Sequence, residues 1–312
     1  MDAKPFQHTP ADLEAFETVY KKTASCKIPS CLYTHHIMRG ALRGKFPESP
    51  VFVFHRDLPD GNSVWVTARM IKFIPPEMTI ETNSKKMDFT SHQAILDELF
   101  NEVHNRFPEL LGGPRILLIG QKPLQEVYET YINTVRNASH SILNLPTYLY
   151  YMTPEQQEKV MQMDLHLPDG YFFDEVNPDV DAPIITKTWI HAKKGDLEQT
   201  RSKLVNLPSV IVRHKDEGAV AFEMCHPCEF QNHLFVLPEH RRKGLGNAVE
   251  MRLSQLCVQN DIVPFKTIEF YNESVIASTN KNNIWTRWEH EDGSPVHCEY
   301  RIYYPKKTSS SL

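Results

Sequence analysis

Leu234-Phe235-Val236-Leu237-Pro238-Glu239-His240-Arg241-Arg242-Lys243-Gly244-Leu245-Gly246-Asn247 is the stretch on which the reading of this chain turns. An apolar strand runs to Pro238 and a short basic turn follows. Two glycines then lead into a helix on which Val249, Leu253, Leu256 and Cys257 recur at helical spacing. The basic turn therefore lies at a helix N-terminus. Backbone N–H groups there lack intrahelical acceptors, and the helix dipole adds roughly half a positive charge. Such a place attracts anions. Gly244 and Gly246 let the main chain come close to a phosphate because no side chain intervenes. Arg241, Arg242 and Lys243 add full charges. The glycine spacing alone is common. The strand before it, the proline that ends the strand and the helical period after it make it informative.

These residues resemble the coenzyme A pyrophosphate loop of the GNAT acyltransferases, and more narrowly that of the glycine N-acyltransferase branch. Leu237-Pro238-Glu239-His240-Arg241 is similar to that branch's own loop. So are the upstream segments Trp189-Ile190-His191 and Ala219-Val220-Ala221-Phe222, and Cys228-Glu229 matches the branch's Cys-Glu pair. The resemblance covers residues 185–290 most clearly. It is fainter in the N-terminal half, where Leu32-Tyr33 and Lys45-Phe46-Pro47 agree in order and spacing.

Length and composition set the frame for that resemblance. At 312 residues, with 41% hydrophobic and 23% charged side chains, the chain suits one large folded domain or two moderate ones. A net charge of −5 argues against a nucleic-acid partner while leaving room for a local basic site. No run of ~18 apolar residues exists, so no membrane span is expected. The segment from Met1 to Lys22 mixes Asp2, Asp12, Glu14 and Glu17 with basic residues, unlike a secretory signal or a presequence. A cytoplasmic or mitochondrial location is expected. Cys225-His226-Pro227-Cys228 has the spacing of half a zinc site, but no second C-x-x-C accompanies it. A turn between strands is the expectation there, with no metal.

Taken in order, Thr9-Pro10 caps a helix over 10–22, and a second helix covers 34–43. Val51 to Phe54 and Val64 to Val66 form a hairpin across Asp60-Gly61. Thr90-Ser91-His92-Gln93 has the form of a capping box before a helix carrying Ile95, Leu99, Val103 and Phe107. Ile116 to Ile119 is a strand. Leu124, Val127, Tyr128, Tyr131, Ile132 and Val135 form the cleanest helical stripe, and another helix covers 154–163. Residues 166–183 hold Pro168, Pro178, Pro183 and Asp169-Gly170, which marks a linker. The domains expected are therefore 1–165 and 184–312. In the second, Ile184 to Ile190 opens an alternation of strand and helix. Leu197 to Leu204 is a helix, Val210 to Val212 and Ala219 to Met224 a hairpin, Leu234 to Leu237 and Thr267 to Phe270 strands. Tyr300 to Tyr304 closes the sheet. That order predicts a mixed, mostly antiparallel sheet flanked by helices, an α/β layered fold. The resemblance implies the GNAT version of it, with the pantetheine arm between splayed strands ending at Leu237 and Phe270. It also implies an N-terminal α/β domain of diverged similar layout.

The implied reaction is acyl transfer from acyl-coenzyme A, as co-substrate, to the amine of glycine or a similar small amino acid. The loop residues Arg241, Arg242, Lys243, Gly244, Leu245, Gly246 and Asn247 would take the pyrophosphate. The backbone of Phe235 and Val236 would pair with the pantetheine amides, and Asn272 matches a pantetheine-contacting position. Glu229 is the candidate base, with His226, His233 and Glu223 in reserve. An ungapped match on Pro238 puts the branch's Glu one residue later, at Phe230, and a bulge could absorb that offset. The usual Tyr acid is missing, since its region reads Ser278-Thr279-Asn280. Two alternatives stand beside this reading: a catalytically inactive GNAT-fold module that binds coenzyme A, and a protein N-acetyltransferase.

Overall fold

In the computed structural model, residues 10–85, 88–137 and 140–306 are described. Thr9, the expected first cap, lies outside them. The helices and strands run in the order α1 (Pro10–Ala24), α2 (Cys31–Leu42), β1 (Val51–Asp57), β2 (Ser63–Arg69), β3 (Glu77–Thr82), α3 (Gln93–Arg106), α4 (Glu109–Gly112), β4 (Ile116–Gln121), α5 (Lys122–Thr134) and β5 (His140–Tyr151). They continue with α6 (Pro154–Met161), β6 (Tyr171–Asp174), α7 (Pro178–Thr188), α8 (Asp196–Asn206), β7 (Ser209–His214), β8 (Gly218–Cys225), β9 (Gln231–Val236), α9 (Leu245–Gln259), β10 (Phe265–Glu269), α10 (Glu273–Lys281), β11 (Thr286–Arg287) and β12 (His297–Pro305).

The chain forms two compact units, 1–148 with 290–312, and 149–289. The division expected at 166–183 falls elsewhere. Those residues hold β6 and the first half of α7 inside the second unit, and the chain from 290 returns to the first.

In the first unit the strand order is β1-β2-β3-β4-β12-β5. The predicted hairpin is β1–β2, registered from Val51↔Arg69 to Asp57↔Ser63. β3 and β4 are parallel, and β12 is antiparallel to both β4 and β5. The segment expected to close the second sheet thus inserts into the first unit. The apolar faces of α3 (Leu96, Leu99, Phe100, Val103) and α5 (Leu124, Val127, Tyr128, Tyr131) cover that sheet in one core. The capping box expected at Thr90 is not formed. The Thr90 N–H and hydroxyl both bond Asp88 Oδ1, at 2.9 and 2.6 Å, and α3 starts three residues later.

In the second unit the order is β5-β10-β9-β8-β7-β6, with β11 on the end of β5. β7–β8 is the predicted hairpin across Lys215–Gly218. Residues 184–188 are helical rather than strand. Asn177 accepts the N–H groups of Asp179 and Val180, and Pro178 fills the first turn, so α7 starts early and runs through Ile185. α7 and α8 pack Ala182, Ile185 and Leu204 against Ile211, Phe222 and Met224. α6 carries a complete capping box, Thr153 with Gln156.

The two units share one order of parts: two helices, three antiparallel strands, a helix, a parallel strand and a helix. Among the described residues, no helix is long and apolar enough to cross a membrane.

Candidate functional site

The opening stretch folds as a strand, a loop and a helix. β9 ends at Val236, Pro238–His240 make one 3₁₀ turn, and α9 begins at Leu245. Gly244 stands at the N-cap with φ 81° and brings no side chain to cap the first turn. Arg242, at φ 59°, is also left-handed. The first-turn N–H groups of Leu245, Gly246 and Asn247 have no intrahelical acceptor. Left-handed bends next to such a turn gather N–H groups into an anion-binding concavity. Residues 241–244 are exposed, while the Leu245 side chain is buried and contributes only backbone. A Cβ on Gly246 would meet only Val236 Cγ2, at 3.6 Å. The tolerance for that Cβ means Gly246 is not required by packing.

The loop's cations already have places. Arg241 Nε donates to the Val236 carbonyl at 3.0 Å, and its guanidinium lies 5.6 Å from the Phe235 ring. Lys243 Nζ donates to Tyr171 Oη at 2.7 Å. His240 is buried between Tyr171 and Glu217.

β9 offers its edge selectively. The Leu237 N–H bonds the Val220 carbonyl at 2.9 Å, flanking the Ala221↔Val236 pair. That makes this pair the non-hydrogen-bonded kind, whose N–H and C=O groups point away from the partner strand. Val236 therefore turns both groups away from β8, toward the β10 side. By the same alternation Phe235 turns its groups to β8. Of the two residues expected to offer their backbone, Val236 thus presents its groups away from β8, while the Phe235 ring lies beneath the Arg241 guanidinium. A bulge interrupts the β8–β9 register between Phe222 and Met224, where His233 has φ 62°.

β9 and β10 are parallel neighbours that share a single registered pair, Lys266↔Gln231. Beyond it the strands part. A cleft of about 220 Å³ lies next to β9 between α9 and α10, lined by Leu234, by Gly246, Asn247 and Glu250 of α9, and by Ser278 and Thr279 among others of α10. Asn272 is the N-cap of α10, with its backbone carbonyl on the Val275 and Ile276 N–H groups. It does not line this cleft.

Glu250 and Thr279 lead from the cleft into a buried charged cluster. Lys266 pairs with the Glu250 carboxylate and donates to Thr279 Oγ1 at 3.0 Å. Its ammonium lies 4.5 Å from the Trp285 ring. Glu223 of β8 completes the group. Burial pushes its carboxyl pKa well above the usual range, the Glu250 charge adds to this, and Lys266 opposes it. Glu223 Oε2 has no hydrogen-bond partner.

Glu229 is elsewhere. It sits in the β8–β9 turn at the far end of β9 from the loop, with no exposed surface, φ 60° and its N–H on the His226 carbonyl. The bulge at His233 lies between Glu229 and Pro238, where one extra residue absorbs the offset of the match, but Glu229 itself stays in the turn. Cys225 to Cys228 form the same turn. The Cys225 thiol meets Cys257 at 3.5 Å, and the Cys228 N–H bonds His226 Nδ1 at 3.2 Å. His233, the other reserve, packs with Trp189, Phe222 and Phe235, and burial lowers its pKa to about 4.

No family model and no curated protein sequence matches the chain. Solved structures do. A Drosophila protein known from X-ray crystallography is 14% identical, with a TM-score of 0.72 over 96% of this chain and 98% of its own. A tandem GNAT protein from the clavulanic acid biosynthesis pathway is 12% identical, with a TM-score of 0.53 over 96% and 97%. A GCN5-related N-acetyltransferase from Kribbella flavida is 12% identical, with a TM-score of 0.50 over 86% and 94%. The chain has the GNAT fold. The tandem neighbour spans both units, in keeping with their shared order of parts.

Tyr171 and Glu217 are not legible as site residues in the sequence. One lies in the stretch that reads as a linker and the other in a hairpin turn, and only the fold brings them to His240. Glu223 ranks only as a reserve there, because nothing in its local sequence separates it from other strand carboxylates.

Proposed function

We propose that the second unit binds an acyl-coenzyme A and transfers its acyl group to a primary amine, with glycine or a similar small amino acid as acceptor. One observation carries this reading. The uncapped start of α9, with three basic side chains before it, lies beside the place where β9 and β10 part. A diphosphate fits the first and an extended amide-bearing arm fits the second.

In this reading Gly246 and Asn247, with the Leu245 N–H, take the pyrophosphate together with Arg241, Arg242 and Lys243. The pantetheine arm adds to β9 as a strand would, through Val236. To do so it displaces Arg241 Nε from the Val236 carbonyl, which frees the guanidinium for a phosphate. A main-chain N–H on this edge also faces the thioester oxygen. Such a donor lowers the barrier by about 3–4 kcal/mol. Asn272, beside α10, is retained as a contact for the outer part of the arm.

The amine must lose a proton to attack. A carboxylate with a raised pKa is a better base near neutral pH than an ordinary one. Glu223 has that property and an oxygen with no hydrogen-bond partner, beside the Lys266–Glu250 pair; Glu229, equally buried, sits in the turn at the other end of β9. We assign the base to Glu223, acting with Glu250 at the cleft floor. The ammonium gives one proton to the carboxylate, the freed amine nitrogen bonds the acyl carbon, the carbon–sulfur bond breaks, the thiolate leaves, and the second nitrogen proton passes to the thiolate or to solvent. Thr279 is engaged by Lys266 and no Tyr stands at 278–280, so the thiolate departs without a dedicated acid.

The test is to follow free thiol release with a panel of acyl-coenzyme A donors and glycine. Thiol release that requires both substrates is expected. Calorimetry with free coenzyme A runs alongside. Binding without turnover for any donor and amine would leave a binding module. No binding at all would sink the reading.

A further inference from the structure

The anion loop carries a wired side-chain chain whose direction can be assigned. An ammonium can only donate, so Tyr171 Oη accepts from Lys243 Nζ at 2.7 Å. Giving the phenol's single proton to its other partner, His240 Nδ1, at 2.9 Å, makes a chain in which every group is satisfied. Nδ1 is thereby the acceptor, the His240 proton sits on Nε2, and Nε2–H donates to Glu217 Oε2 at 3.2 Å. His240 has only 3% of its surface exposed. His214 packs on both the Tyr171 and His240 rings, 4.9 and 5.7 Å away, and its Nδ1 reaches the other Glu217 oxygen at 3.4 Å.

We propose that Tyr171, with His240 and Glu217 behind it, is a positioning residue that fixes the Lys243 ammonium beside the loop for an incoming diphosphate. This rests on the function proposed above. The Lys243 side chain is exposed and its ring contact with Tyr171 is 5.3 Å. One of its three donors is spent on the phenol, and two remain for ligand oxygens. A lysine is otherwise a flexible point charge that loses rotamer freedom on binding. Holding it in place beforehand removes part of that cost. The chain also ties the loop to β6 and to the β7–β8 turn, which explains why a histidine follows Pro238-Glu239 in the interior of the unit.

Tyr171→Phe keeps the ring and removes the wire. In calorimetry with coenzyme A, the variant is expected to bind about tenfold more weakly, the worth of one charge-assisted hydrogen bond. Its KM for acyl-coenzyme A should rise by a similar factor while kcat holds. Glu217→Gln keeps an acceptor for Nε2–H and should stay within about twofold of wild type. Glu217→Ala should not. The decisive measurement is a double-mutant cycle. Once Lys243→Met is in place, Tyr171→Phe should cost nothing more, because a positioning residue acts through the group it positions. Additive losses, or wild-type affinity in a folded Tyr171→Phe protein, would overturn the inference while leaving the function intact. Wild-type protein that binds no coenzyme A would remove both.

Discussion

In the first unit β3 and β4 run parallel through four registered pairs, from Glu77↔Leu117 to Ile80↔Gly120. In the second, β9 and β10 occupy the same place in the order of parts and share only one, Lys266↔Gln231. Gly120 accounts for much of the closure. A Cβ there would stand 2.4 Å from the Ile80 carbonyl oxygen, so only glycine lets the two strands meet. The segments after β3 and β9 differ as well. Asn83 to His92 contains no glycine, and the notch between α3 and α5 is lined by Asp88 and Glu126. The matching cleft of the second unit comes after two glycines and three basic residues. One layout thus yields a closed scaffold with a notch whose charged lining is Asp88 and Glu126, and an open slot beside a loop of two glycines and three basic residues. Divergence of a single strand pair, together with the glycines at the next helix start, separates the two.

The largest expected effect tests what the open slot is for. Glu223→Gln should lower kcat by roughly 10²–10³, the usual worth of a positioned base, with coenzyme A affinity unchanged. In the wild type, kcat should climb with pH through a limb above the ordinary carboxylate range, since burial holds the Glu223 proton on. The variant should lose that limb. Equal kcat values in the two proteins would move the base elsewhere.

The same substitution in each unit sharpens the contrast. Gly120→Ala forces β4 off the Ile80 carbonyl and should cost about 1–3 kcal/mol of stability, as overpacking does, read from denaturant midpoints. Gly246→Ala meets only a methyl group at ordinary contact distance and should leave stability within about 0.5 kcal/mol. It should weaken coenzyme A binding instead, because a Cβ comes between the first-turn N–H groups and a phosphate. If both variants lost the same property, the division of labour between the strand pairs would be wrong.

A smaller effect reports on burial in the closed unit. Glu81, at the end of β3, is fully buried, and desolvation raises its pKa well above the usual value despite a partly offsetting Ser30 hydroxyl. A carboxyl whose folded pKa is raised favours folding most below its unfolded pKa. That contribution is lost as pH rises through the folded value. Glu81→Gln does not titrate. Its melting temperature should match or trail wild type near pH 4 and exceed it by roughly 2–4 °C near pH 8. A difference that fails to widen with pH would show that Glu81 is not held neutral.

The sequence made local features legible and non-local ones not. The loop, both hairpins and the stripes of α3, α5 and α9 follow from short-range periodicity and turn chemistry, and the structure has them. β12 reads as a strand from Tyr300 to Tyr304, yet its partners, β4 and β5, are more than 140 residues away along the chain, and no periodicity encodes that pairing. Pro146 inside β5 hides a long strand whose register tolerates it opposite Glu299. At 184–188 the apolar run looks like a strand because the deciding signal, Asn177-Pro178, lies upstream in a stretch that reads as a linker. The acid–base chemistry is least legible. Glu223 and Glu229 are both buried carboxylates near one turn, and only the Lys266–Glu250 pair beside Glu223 tells them apart.

That distinction yields the smallest predicted effect. Glu229→Gln keeps the size and hydrogen-bonding reach of the side chain and changes only its charge. Glu229 belongs to the turn that opens β9, while the cleft reaches β9 at Leu234, so on the proposed assignment the amine meets Glu223 instead. The variant's kcat and its coenzyme A affinity should both stay within about twofold of wild type, the range left for a residue that touches neither substrate nor base. A large loss of kcat in a stable Glu229→Gln protein would return the base to this turn and require β9 to slide. The single Lys266↔Gln231 pair, which fixes where the strands part, would then have to give way, and the open slot would be a different shape from the one drawn by β9 and β10 here.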